Sequence, residues 1–139
     1  MKRPTKDRWL MEVASATARR TTCARAGVGC VLSDEQGNVL STGYNGPPRG
    51  LPHCSDHPCP GADVAAGPDS CEAVHAEINA LMRCADVNRV FACHVTTEPC
   101  FRCTKALLNT GCERVVFLRE NGDDGAAMTM WAKARGLTV

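Results

Sequence analysis

Five residues carry the chemistry that can be read first: His75 and Glu77 in VHAEINAL, with Ala76 between them, and Cys100 and Cys103 in EPCFRC. One imidazole and two thiolates suit a zinc ion that keeps its fourth position open for water. A closed structural zinc site could use the same three ligands, but it would lack a fourth and leave Glu77 without a task. On a regular helix Glu77 would point roughly 200° away from His75, so it is not expected to bind the same ion. In an irregular first turn it reaches the site as a proton carrier instead.

A second group of ligands precedes the first. The stretch LPHCSDHPCPGADVAAGPDSCEAVHAE, residues 51–77, holds Cys54, Cys59, Cys71, His53 and His57 upstream of His75. Residues 46–71 contain most of the chain's prolines and show little periodicity, so they read as one long loop. Such a loop is uncommon inside a compact domain unless something ties it down. Cys23 lies before the first expected strand, and with Cys54, Cys59 and Cys71 it would complete a closed four-thiolate zinc site. Free thiols, or a ligand set that includes His57, are the other readings of these residues. Cys30, Cys84, Cys93 and Cys112 fall within or at the ends of expected strands and helices, where a small buried thiol is the ordinary use.

The elements that must position these groups follow from periodicity. Residues 5–20 form an amphipathic helix with Trp9, Leu10, Val13 and Thr17 near one face. Val28 to Leu32 and Val39 to Gly43 form a hairpin around Gln36, Gly37 and Asn38. CEAVHAEINALMRCA is a helix with Val74, Ile78, Leu81 and Met82 at helical spacing, and the strand VFACHVTT follows. FRCTKALLNTG is a short helix ended by glycine, then come the strand RVVFL, a turn at Asn121 to Gly125, and a helix over Ala126 to Arg135. Strands alternating with helices after a hairpin predict one layered α/β domain spanning residues 1–139, with a mixed sheet.

Composition narrows the function classes. The 139 residues are 44% hydrophobic, enough for one core, and 16 basic against 15 acidic residues give a net charge of +1. No block of like charge and no aromatic-rich basic segment is present, which disfavours a nucleic acid polymer as partner. Without an apolar signal-like stretch or a membrane-length one, a cytoplasmic protein is expected, and there clustered cysteines more often bind metal than pair as disulfides.

HAE followed by PCxxC is the signature of zinc-dependent nucleobase deaminases. Beyond it, TTCARAGVGCVL, STGYNGPPRGLPHC, VHAEINAL and TTEPCFRCTKALLNTGCERVVF resemble the cytidine deaminase superfamily, and within it the deoxycytidylate deaminases of bacteria and phages. The resemblance implies a three-layer α/β/α fold with a central mixed sheet of about five strands. It implies hydrolysis of dCMP to dUMP by a zinc-activated water, with His75, Cys100 and Cys103 as ligands and Glu77 moving protons to N3 of the ring. Ala76 would meet the base through its backbone, Asn45 the sugar and Arg25 the 5′ phosphate. The alternative readings, a turn residue for Asn45 and a solvated surface arginine for Arg25, are the less favoured ones. Relatives often carry a tyrosine near the phosphate after the strand that here reads VVFLRE. Regulated members bind dCTP and dTTP at a site involving the GYNG loop, usually as a hexamer, so a homo-oligomer is implied here. Other cytosine nucleosides or nucleotides are the rival substrates, and a noncatalytic nucleotide-binding protein is the rival class.

Overall fold

The computed structural model describes residues 1–23, 27–54, 56 and 71–137. Helix α1, Lys6–Ala18, opens on Thr5, whose hydroxyl accepts the Arg8 amide, and has Asp7 in its first turn. Its buried stripe is Leu10, Met11 and Ala14, whereas Trp9 is 42% exposed. The stripe expected from the largest apolar residues is therefore rotated. The reason is close approach. A Cβ on Gly29 would collide with the α1 backbone at Ala14 and Ala18, so the small-residue face of the helix must lie against the sheet.

Strands β1 (Gly29–Ser33) and β2 (Val39–Tyr44) form the expected hairpin. Asp34 closes its turn by accepting the amides of Gln36 and Asn38, and Gly37 supplies the positive φ. Strands β3 (Ala92–Thr97) and β4 (Arg114–Arg119) complete a mixed sheet in the order β2-β1-β3-β4. β1 is antiparallel to both neighbours, while β3 and β4 are parallel. Four strands are thus present among the described residues, against about five expected.

Helix α1 covers one face of this sheet, burying Leu10, Met11 and Ala14 with Val31. The other face packs against α2 (Ala76–Arg83), α3 (Phe101–Leu108) and α4 (Ala126–Arg135), with Leu32, Val95, Ala80, Leu107 and Trp131 in one cluster. Both expected outer layers are present. Burying a side chain such as Leu32 or Leu107 completely is worth about 1.5–3 kcal/mol. Cys30, Cys93 and Cys112 are fully buried, as expected of core thiols, and Sγ of Cys30 lies 3.5 Å from Sγ of Cys93. Cys84 is only half-buried, at the C-terminus of α2.

Helix α2 is shorter than its periodicity predicts. Val74 and Gly46 exchange backbone hydrogen bonds in an isolated antiparallel bridge, so the chain is extended up to His75 and turns helical at Ala76. Met82 is 73% exposed, and Ala80 is fully buried. Gly43 accounts for this choice of face, because a Cβ there would run into the α2 backbone at Ala76 and Ala80. No helix among the described residues is long and apolar enough to cross a membrane.

Candidate active site

Both halves of the metal motif sit at helix N-termini. His75 is the N-cap of α2, in extended conformation at φ −67° and ψ 153°, and Cys100 is the N-cap of α3, its Sγ accepting the Cys103 amide. The partial positive charge of each helix end therefore faces the thiolates. Because His75 precedes the first helical residue, the 200° separation of a regular helix does not apply to Glu77. Glu77 sits in the first turn, 4% exposed, with its carboxyl against its own amide and the Cys103 thiol.

His75, Cys100 and Cys103 place their ligand atoms within 4.8 Å of one another, and they are the one such group found among the described residues. His75 Nδ1 lies 3.5 Å from Cys100 Sγ and 3.4 Å from Cys103 Sγ. Zinc bonds of about 2.3 Å to sulfur and about 2.0–2.1 Å to nitrogen, at tetrahedral angles, separate the two ligand atoms by about 3.6 Å. The donor set and its spacing therefore fit zinc.

The three groups shift one another's proton affinity. The Cys103 thiol donates to Cys100, which with help from His75 holds Cys100 as a thiolate down to about 3. Cys103, the donor, is pushed well above the ordinary thiol range, and the hydrogen bond with Cys100 pushes His75 up. Burial raises Glu77 to about 7. A dication held by the three ligands would favour both thiolates and an ionised Glu77.

These residues open onto a pocket lined by Val28, Asn45, His75, Ala76, Glu77, Thr97, Glu98, Cys100 and Asn121. Asn45 follows β2 directly, and its Oδ1 accepts both the Val28 amide and the Thr21 hydroxyl. It thus ties down the segment before β1 and lines the pocket as well. Ala76 presents backbone at the helix start. Thr97, Glu98 and Asn121 were not among the residues singled out from the sequence. Glu98 stands two positions before Cys100 inside the quoted motif, which was the available signal.

A family model describing the cytidine and deoxycytidylate deaminase zinc-binding region matches residues 4–119. The chain belongs to the cytidine and deoxycytidylate deaminase family. Its relatives include the deoxycytidylate deaminase of Mycobacterium phage D29, 40% identical over 129 residues, which cover 87% of this chain and all of that protein. The deoxycytidylate deaminase of Schizosaccharomyces pombe is 38% identical over 83% of this chain, which spans only 37% of that longer protein. Among solved structures, the dCMP deaminase of cyanophage S-TIM5 in complex with dCMP and dUMP superposes with a TM-score of 0.76 at 22% identity, covering 100% of this chain and 98% of that one. This last likeness establishes the cytidine deaminase fold.

Arg25 and Cys59 lie outside the described residues, as does His57. Cys23 and Cys71 are half-buried, Cys54 is 1% exposed, and His53 stands 4.0 Å from Asp56 on the surface.

Proposed function

We propose that this deaminase-family chain hydrolyses dCMP to dUMP and ammonia. The observation that carries the reading is the triangle of His75, Cys100 and Cys103 beside the buried Glu77, at the base of a pocket that also holds Asn45 and Ala76. The phage D29 relative, named a deoxycytidylate deaminase and matched along its whole length, points to dCMP among cytosine substrates.

Zinc bound by the three ligands supplies Lewis acidity that brings the pKa of water towards neutrality. Glu77 takes a proton from the attacking water, passes it to N3 of the ring, and protonates the departing amine. A C4–O bond forms and the C4–N bond breaks; water supplies the new O4 oxygen and two protons, one kept on N3 of dUMP and one carried off by the departing amino group, which brings its own two hydrogens and leaves as ammonia. The Ala76 backbone orients the base, Asn45 meets the sugar, and Arg25 pairs with the 5′ phosphate through its planar guanidinium.

The same reading gives residues 1–139 one catalytic domain and a second, structural zinc on Cys23, Cys54, Cys59 and Cys71. Near-complete burial of Cys54 within a loop supports it. A homo-oligomer that answers to dCTP and dTTP, in a reducing cytoplasm that keeps the thiols available, completes the proposal.

The test is a spectrophotometric comparison of dCMP, dCTP, deoxycytidine, CMP and cytosine as substrates, with and without dCTP and dTTP. The expected result is a clear preference for dCMP. Turnover of deoxycytidine with dCMP inert would overturn the substrate assignment.

A further inference from the structure

Glu98 and Asn121 are joined across the entrance to α3, and neither is a ligand or a proton carrier in the reading above. Glu98 is 5% exposed at the end of β3, and its Oε1 accepts the backbone N–H of Asn121 at 3.1 Å. Asn121 returns the contact one residue further on, donating its side-chain Nδ2–H to the Pro99 carbonyl at 3.0 Å. Its own side chain is held in turn by Asp123, whose amide donates to Oδ1 at 2.8 Å. The two bonds grip Glu98 and Pro99, immediately before Cys100. The last ladder bond between β3 and β4 runs from the Glu98 amide to the Arg119 carbonyl at 2.7 Å, and the next residue, Pro99, has no N–H to offer. A buried carboxylate beside a pocket that already contains Glu77 is costly unless hydrogen-bonded, which argues for a specific use.

We propose that Glu98 and Asn121 form a positioning clamp that fixes the backbone leading into Cys100, and so sets the two thiolates for zinc and one wall of the nucleotide pocket. The proposal rests on the metal-site reading but not on the identity of the substrate.

The test measures zinc affinity of the full chain by competition with a chromophoric chelator, together with the absorption bands of the cobalt-substituted protein. Asn121→Ala and Glu98→Ala should weaken zinc binding by about 10- to 100-fold, the usual effect of losing an outer partner of a ligand, and should alter the cobalt bands. Glu98→Gln, whose side-chain oxygen can accept the same N–H, should stay near wild type. Asn121→Asp keeps the size and the Oδ1 acceptor but removes the donor to Pro99, so it should share the loss even if the alanine variant folds poorly. Wild-type zinc affinity and unchanged cobalt bands in Asn121→Asp and Glu98→Ala would overturn the clamp. His75→Ala separates the two claims: if it too binds zinc like wild type, the metal site itself is wrong, whereas loss in His75→Ala alone rejects only the clamp.

Discussion

His94 Nε2, on the central strand β3, lies 2.8 Å from Oδ1 of Asp7 on α1, although the two residues are 87 positions apart. The same carboxylate receives both terminal nitrogens of Arg114 from β4, at 3.1 and 3.0 Å. One half-exposed aspartate therefore pins the start of α1 to two strands, against a histidine that is fully buried.

These bonds, that from Arg114 foremost, hold the Asp7 carboxyl down at about 2. A carboxyl depressed in the folded state stabilises above its unfolded pKa of about 3.9 and loses that contribution as pH falls through the folded value. Asp7→Asn should cost about 1 kcal/mol at pH 7, a modest figure because solvent screens a half-exposed pair. Thermal melts should show the gap from wild type closing between about pH 4 and pH 2.

Glu77→Gln keeps the shape of the site and removes the carboxyl to which the proposed mechanism assigns proton transfer. Its deamination rate should fall by roughly 10²- to 10⁴-fold, with zinc content unchanged. A loss of activity that tracks a loss of zinc would instead make Glu77 part of the metal's own support.

Gly43→Ala places a methyl group against the α2 backbone at Ala76 and Ala80. Overpacking of this kind typically costs about 1–3 kcal/mol, and here the displaced helix carries His75 and Glu77. Both the melting temperature and kcat should drop. A melting change alone, with kcat intact, would mean that α2 yields without moving its first turn.

Zinc analysis of the purified chain should give about two ions, one for the three-ligand site and one for the four-cysteine site. Cys103→Ser should remove one and Cys54→Ser the other, with activity surviving in part only in the second. One ion in active wild-type protein would count against the loop site.

The grouping of His75, Cys100 and Cys103 beside Glu77 was legible in the sequence because its members lie in two short motifs whose spacing is set locally, each at the start of a helix. The orientation of Glu77 was not, since it depends on the bridge between Val74 and Gly46 that keeps His75 out of the helix. The same limit hid His94 and Asn121, whose partners are 87 and 22–23 residues away. The covered face of α1 was misjudged for a related reason: apolar size predicts Trp9, but the contact is fixed by the missing side chain of Gly29 on another element. Element order, by contrast, followed closely from periodicity, and β2 and α4 begin where expected, at Val39 and Ala126.

The fully buried thiols of Cys30 and Cys93 give the chain an internal clock. An alkylating reagent can meet Cys84 on the folded surface, but it reaches Cys30 and Cys93, on the paired strands β1 and β3, only when the sheet itself opens. With reagent in excess, the slow phase of thiol loss therefore counts global openings of the molecule. Its unfolding rate can be read with no probe added by mutation.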